Sequence, residues 1–146
     1  MKYKVLLFFC IINSSLVISQ DVKRNIIENL ELYYGQKSSE LPTASIRTSP
    51  SEYKLRIKND IGYEEYYFNL KDGVSNFIIC KVMGNQALIE NKLNLLFNYM
   101  DKFPAPILDS TDGYAWLIGS ERLIGITKVF QEEGMFGFFV FIGKAE

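Results

Sequence analysis

Two stretches of this chain follow the same order of predicted elements, one amphipathic helix and then three strands. In the first stretch, Asp21 can cap a helix and Gly35 ends it. The apolar positions at helical spacing between them are Val22, Ile26, Ile27, Leu30, Tyr33 and Tyr34. A polar loop with two prolines follows over residues 36–51. Strands are then predicted over residues 53–58, 63–70 and 74–83.

The second stretch repeats that order. Asn85 begins a helix with an apolar stripe, and Pro104 and Pro106 end it. Strands are predicted over residues 114–119, 122–130 and 135–143. One helix on three strands is marginal alone, since a unit of about 60 residues buries too little apolar surface. We therefore predict one α+β domain over residues 20–146, with an antiparallel sheet of about six strands and both helices on one face.

A tandem duplication is one hypothesis for the repeated order, with possible half-repeats at residues 21–83 and 84–146. Under this hypothesis Tyr53 matches Tyr114 and Phe77 matches Phe138, at the same spacing along the chain. The alternative is that two stretches of ordinary α+β structure are similar by chance. In element order the chain resembles the small exported PepSY-like and β-lactamase-inhibitor-like proteins, which are built from repeated helix-plus-sheet units. This resemblance implies a fold and carries over no site residue.

The N-terminus has the pattern of a secretory signal peptide. Lys2 and Lys4 form a short basic front, and a largely apolar stretch continues to Ile18. An uncleaved membrane anchor is the alternative, but the stretch is shorter than the roughly 20 residues that a bilayer requires. We therefore expect a signal peptide at residues 1–19, cleavage before Gln20, and export to the periplasm or extracellular space. No stable membrane insertion is expected after cleavage.

The composition excludes several kinds of chemistry. The chain has no histidine, which excludes a Ser-His-Asp triad, a Cys-His dyad and a histidine zinc site. Loss of Lys2 and Lys4 with the signal peptide leaves 14 basic against 17 acidic residues, which argues against a nucleic-acid partner. Cys80 is then the single cysteine, and we expect it to be a small buried hydrophobe. No catalytic residue, metal ligand or cofactor is predicted.

Aromatic and basic residues lie together on the first two predicted strands. The candidate binding residues are Lys54, Arg56, Tyr63, Tyr66 and Tyr67. Tyrosine is favoured at interfaces because it is large and amphipathic. This region is therefore a candidate face for a protein or a glycan, and an ordinary half-buried sheet face is the alternative. Glu64 and Glu65 are expected to be solvated, on opposite faces of their strand.

The last predicted strand is apolar on both faces over residues 136–142. A strand of this kind would aggregate at an edge, so it is predicted to be central. It also needs a cover on both faces. The helices cover one face, and the other would be covered by the loop at residues 36–51, a second subunit or a ligand. The loop is the cover that we expect.

These patterns predict a small exported protein that is not an enzyme and that acts by binding through its sheet surface. Its partner would be another protein or a second copy of itself, in a homodimer. The alternative is a carrier of a hydrophobic small ligand, which the doubly apolar last strand favours. A histidine-free hydrolase that uses Asp, Glu, Tyr or Lys is a third hypothesis, and no residue pattern favours it.

Overall fold

The computed structural model describes residues 25–145, which form an antiparallel sheet with two α-helices. The predicted signal peptide and Asp21 lie outside the described residues. The helices are α1 (Ile26–Tyr33) and α2 (Gln86–Met100), with a short 3₁₀ helix at Ser38–Glu40. The strands are β1 (Ile46–Ser49), β2 (Glu52–Asn59), β3 (Gly62–Lys71), β4 (Val74–Gly84), β5 (Leu108–Asp109), β6 (Gly113–Ile118), β7 (Arg122–Thr127), β8 (Phe130–Glu132) and β9 (Met135–Lys144).

The strand order confirms a mixed α+β fold with an antiparallel sheet. The order is β1-β2-β3-β4-β9-β7-β6-β5, and β8 pairs with β9 beyond the end of β7. The six predicted strands correspond to β2, β3, β4, β6, β9 and the combined β7 and β8. The described residues contain nine strands because one predicted strand is divided into β7 and β8 and because β1 and β5 are additional. The additional strands have four and two residues, too few to show a periodic pattern in the sequence.

A bulge divides the predicted strand at residues 122–130 into β7 and β8. Ile126 pairs with Val140 and Phe130 pairs with Gly137, so β7–β8 holds one more residue than β9 between these pairs. Within that interval the backbone N–H of Phe139 donates to the side chain of Thr127 at 2.9 Å. At the bulge, the hydroxyl oxygen of Thr127 therefore accepts the hydrogen bond that a backbone carbonyl would accept in a regular antiparallel pair.

Side-chain capping interactions determine where both helices begin. The side chain of Asn25 accepts a hydrogen bond from the backbone of Glu28 at 2.9 Å, and Glu28 bonds back to Asn25, so α1 begins with a capping box. The sequence had predicted a start at Asp21. Asn85 caps α2 by accepting a hydrogen bond from the backbone N–H of Leu88 at 2.9 Å. This second cap agrees with the predicted start of the helix.

Both helices pack on one face of the sheet, which we call the helix face. They contact the central strands β4 and β9. Fully buried side chains fill the space between helices and sheet; among them are Ile27, Leu30, Phe68, Ile78, Cys80, Val82, Phe138, Val140 and Ile142. Cys80 is 0% exposed, which confirms that it is a small buried hydrophobe.

The opposite side of the sheet, which we call the open face, lies away from both helices, and its central side chains are half-buried or, in the case of Met83, fully buried. The expected cover was the loop at residues 36–51, and this prediction was wrong. Leu41 of that loop belongs to the core on the helix face, and Pro42 lies beside Leu55 and Phe68 on the same face. Strand β9 is central, as predicted, with β4 on one side and β7 on the other. Its outward aromatic side chains, Phe139 and Phe141, are therefore half-buried, against Phe130 and Phe77 of the same face.

The strand order reads the same from either edge, as a tandem duplication would produce. Tyr53 and Tyr114 hold matching positions, since each lies on the helix face of the second strand from its edge. Phe77 and Phe138 do not match. Phe138 is fully buried on the helix face, whereas Phe77 lies over Gly143 on the open face. The proposed match between these two repeat positions was wrong. In this part of the two halves, residues 61 positions apart lie on opposite faces of the sheet.

No helix among the described residues is long and apolar enough to cross a bilayer.

Candidate interaction surface on the open sheet face

A compact ionic cluster lies on the open face of β2 and β3. The carboxylate of Glu65 is 3% exposed and accepts hydrogen bonds from Nε of Arg56 and from the hydroxyl of Tyr67. Nζ of Lys54 lies 3.2 Å from the same carboxylate. The expectation that Glu65 is solvated was therefore wrong, because three donor side chains cover it.

The register of β2 and β3 creates this cluster. Lys54 pairs with Tyr67, and Arg56 pairs with Glu65. Cation–π contacts follow from that register: Nζ of Lys54 lies 5.2 Å from the centroid of the Tyr67 ring, and the Arg56 guanidinium lies 4.7 Å from that of Tyr63. The structure thus brings together Lys54, Arg56, Tyr63 and Tyr67, four of the five candidate residues.

The electrostatics of the cluster favour the ionised carboxylate. Burial raises the pKa of Glu65, but hydrogen bonds from Arg56, Tyr67 and Lys54 outweigh burial and lower this pKa from 4.5 to about 2. Burial and the hydrogen bond to Glu65 raise the pKa of Tyr67 to about 12. At neutral pH the cluster therefore holds two cations, one anion and a neutral phenol.

Tyr66 is separated from the other four candidates. It lies on the helix face with 2% exposure, accepts a hydrogen bond from Nδ2 of Asn29 at 3.2 Å and donates to Glu64 at 2.9 Å. Glu64 also forms an ion pair with Lys92 of α2. Tyr66 therefore links the sheet to the helices and is not available to a partner. The period-two alternation of a strand already separates positions 66 and 67.

An apolar surface adjoins the ionic cluster, and we call it the aromatic patch. Its half-buried members on β4, β8 and β9 are Phe77, Ile79, Phe130, Phe139 and Phe141. The rings of Phe130 and Phe139 stack with centroids 5.2 Å apart, and those of Phe77 and Phe141 lie 6.0 Å apart. Sequence reasoning named none of these residues as binding residues, although the doubly apolar last strand was the signal that pointed to them.

Two glycines allow rings of the aromatic patch to lie close against the sheet. A Cβ atom at Gly125 would overlap the ring of Phe141, and one at Gly143 would meet the ring of Phe77 at 2.8 Å. Each ring therefore lies across the backbone of the neighbouring strand, in the space that a side chain would fill. The apolar surface therefore has low relief at these two glycines.

A shallow depression joins the ionic cluster to the aromatic patch. It has a volume of about 500 Å³, and its lining includes Tyr67, Phe77, Ile79 and Phe139. Lys81 borders it and forms an ion pair with Glu132 at 2.5 Å. The open face therefore offers apolar contact area beside positive charge.

Within residues 25–145, no group of three or more His, Cys, Asp or Glu side chains could hold a metal ion. The two adjacent carboxylates on β3 point to opposite faces, as predicted, and each is held by a cation. The side chains of the open face therefore offer a partner contact area and fixed charges.

Comparisons with family models, curated proteins and solved structures give no match to this chain.

Proposed function

We propose that this chain is a small exported interaction protein, not an enzyme, which binds another protein through its open sheet face. The observation that carries the proposal is the aromatic patch, five half-buried apolar side chains on the sheet face that lies away from both helices. Exposed contiguous apolar surfaces of several hundred square ångströms mark interaction sites in soluble proteins. The ionic cluster at the edge of this patch supplies polar contacts and orientation.

A specific interface requires more of the open face than the patch alone. Strands lie about 4.8 Å apart and rise about 3.4 Å per residue, so two strands of six residues, the extent of the patch on β4 and β9, cover roughly 200 Å². Five strands of six residues, on β3, β4, β9, β7 and β6, cover roughly 500 Å². A partner complementary to these five strands would bury roughly the same area, which brings the total to the lower limit for a stable interface, about 1,000 Å². The proposed contact therefore includes the side chains of the ionic cluster on β3.

The charges on this face favour a partner that supplies carboxylates. Lys54 and Arg56 share the single carboxylate of Glu65, and Lys58 forms no ion pair among the described residues. A second copy is a limited source of carboxylates. On the open face of that copy Glu65 and Glu132 would be occupied by their own cations, which leaves Glu52, whose carboxylate accepts a hydrogen bond from Thr48. We therefore favour a different protein with an apolar surface flanked by acidic residues.

The carrier hypothesis has less support. A carrier needs an apolar volume that encloses its ligand. Between the helices and the sheet, the side chains of Phe68, Val82 and Phe138 are fully buried against one another. The centre of the space in which a carrier of this shape would hold a ligand is thus filled by the protein's own side chains.

The interaction can be tested by photo-crosslinking in the organism from which the chain comes. A photoreactive phenylalanine at Leu117, 38% exposed on the open face of β6, should form covalent adducts with a partner. The same probe at Leu95, 54% exposed on α2, is the matched control. The substitutions Ile79→Thr and Phe139→Thr, which preserve strand propensity and remove apolar area, should abolish the Leu117 adduct.

Light scattering after size exclusion completes the test. We expect the purified protein to be a monomer whose Leu117 adduct contains a second polypeptide. A dimer that Ile79→Thr and Phe139→Thr dissociate would mean that a second copy occupies the face, and the proposal of a different protein would be wrong. Equal adducts at Leu117 and Leu95, or none at either, would contradict the proposed surface altogether.

Export rests on the sequence pattern of residues 1–19. Mass spectrometry of the protein from its natural source should find a mature N-terminus at Gln20, in the periplasmic or extracellular fraction. An intact N-terminus in the cytoplasmic fraction would contradict it.

A further inference from the structure

The free edge of β2 is a second candidate site, separate from the aromatic patch. In an antiparallel sheet, the backbone groups of successive residues point alternately to the strands on either side. The backbone carbonyl of Ser51, just before β2, accepts a hydrogen bond from the N–H of Leu70 in β3 at 2.8 Å. Because the register of β2 and β3 is unbroken, the odd-numbered residues of β2 face β3. The even-numbered residues therefore face the edge of the sheet.

Strand β1 covers only part of that edge. Its pairing with β2 reaches no further than the pair of Ile46 and Lys54. Arg56 and Lys58 lie beyond this pair, and within residues 25–145 their backbone groups form no hydrogen bond at the edge. Two N–H donors and two carbonyl acceptors are thus available to an additional strand. Extended peptides join sheets in this way, through backbone hydrogen bonds to an exposed edge.

On the helix face, the free edge has an apolar border. Leu55 is half-buried, and Ile57 is 38% exposed. Both side chains line a small depression of about 60 Å³, and its lining also includes Tyr33 and Pro42. Side chains directly opposite one another on paired strands are in contact. An apolar side chain of an added strand would therefore lie beside Leu55 and Ile57.

On the open face, the same edge is basic. Lys54 and Arg56 share the carboxylate of Glu65, whereas Lys58 forms no ion pair in the described part of the chain. Asp60, exposed in the β2–β3 turn, is the other carboxylate nearby. The three cations therefore outnumber the two carboxylates, and Lys58 is available to a carboxylate of a partner.

This positive charge opposes self-association through the edge. If two copies paired β2 with β2 about a two-fold axis, Arg56 and Lys58 of one copy would face the same residues of the other. Like charges on directly opposite positions destabilise a strand pair, and lysines at sheet edges prevent such pairing. The charges thus favour a different, acidic chain over a second copy.

We propose that the edge of β2 binds an extended segment of another protein in which acidic and apolar residues alternate. The segment would run antiparallel to β2, as the strands do in every described pair of this sheet. Its apolar side chains would lie beside Leu55 and Ile57, and its carboxylates would lie opposite Arg56 and Lys58. The proposal goes beyond the aromatic patch and does not rest on it, because the segment contacts β2 whereas the patch belongs to β4, β8 and β9.

A synthetic hexapeptide is the probe. Three Val-Glu repeats, with fluorescein at the N-terminus and an amidated C-terminus, are titrated with the purified protein and followed by fluorescence anisotropy. The matched control has three valines followed by three glutamates, so it keeps the composition and charge and loses the alternation. We expect saturable binding of the alternating peptide only.

Methylation of the peptide backbone tests the strand pairing itself. A residue opposite Arg56 or Lys58 in an antiparallel strand donates its own N–H to β2 and places its side chain on the same face. N-methylation of the glutamates should therefore weaken binding at least about 10-fold. N-methylation of the valines is the matched control, and binding should be retained because their N–H groups point away from β2.

Hydrogen exchange and one pair of variants locate the site. The amides of Arg56 and Lys58 should exchange rapidly in the free protein and more slowly with the peptide, while that of Ile57, which faces β3, should change little. Lys58→Gln should weaken binding about 2- to 5-fold. Lys71→Gln, at the exposed end of β3, should not weaken it. Circular dichroism verifies that both variants are folded.

The opposite results would overturn the proposal. Equal binding of the two peptide sequences, or equal effects of Lys58→Gln and Lys71→Gln, would mean that only net charge is recognised. Equal effects of the two N-methylated peptides would exclude antiparallel pairing with β2. Amides of Arg56 and Lys58 that are protected before any peptide is added would show that a second copy or another segment of this chain occupies the edge.

Discussion

The buried carboxylate of Glu65 makes a quantitative prediction about stability at acid pH. The pKa of this group is lowered from 4.5 to about 2 in the folded protein. The folded state therefore holds the anion more strongly than the unfolded state does. Its contribution to stability is complete above pH 4.5 and is lost as the pH falls through 2. One pKa unit corresponds to about 1.4 kcal/mol, so the full contribution is about 3 kcal/mol of unfolding free energy.

The substitution Glu65→Gln removes this titration while it preserves the shape of the side chain. We expect the variant to be less stable than the original protein by about 3 kcal/mol at pH 6, because Lys54 and Arg56 lose their shared anion. Only about half of that gap should remain at pH 3, and less than about 0.5 kcal/mol at pH 2, where the original carboxyl group is itself largely protonated.

Urea unfolding followed by Trp116 fluorescence at pH 6, 4, 3 and 2 measures this gap. Glu132→Gln is the control, since Glu132 is 51% exposed and pairs with a lysine on the same face. Loss of an exposed ion pair should cost at most about 1 kcal/mol. A gap between the original protein and Glu65→Gln that stays constant from pH 6 to pH 2 would refute the assignment of the anion to this cluster.

Three further predictions test the packing. Burial raises the pKa of Cys80 well above 9.0, so a thiol reagent should modify it only after unfolding, and rapid modification of the folded protein would contradict its place in the core. Gly125→Ala should lower the unfolding free energy by about 1–3 kcal/mol because Phe141 must move, and an unchanged urea midpoint would show that the ring does not lie there. Tyr66→Phe should cost about 1–2 kcal/mol by leaving Asn29 without its partner, and a neutral result in the same assay would exclude a structural hydrogen bond.

The sequence allowed prediction of the longer elements because their residues obey a simple period. Runs of six or more strand-forming residues between turns, with strict alternation at residues 53–58, revealed the six main strands, and the Asn85 cap with its helical stripe revealed α2. The strands β1 and β5 escaped prediction because a strand of two to four residues exists only through pairing with a neighbour. Their formation depends on tertiary contacts rather than on local sequence.

The candidate site was predictable in part. Lys54 and Arg56 were recognised because basic residues alternate with apolar ones along β2. The burial of Glu65 was missed, although the two-residue turn between Asn59 and Gly62 fixes the register that places it opposite Arg56. The position of Tyr66 required one further fact, namely which face the helices cover, and strand alternation alone does not supply it.

The shape of the open face determines the kind of partner that it suits. Phe141 lies across Gly125 and Phe77 lies across Gly143, so the apolar surface has low relief at these positions. The depression lined by Tyr67, Phe77, Ile79 and Phe139 is shallow, so a small molecule would be contacted from one side only. A shallow surface gains affinity from area, which a protein can match and a small ligand cannot.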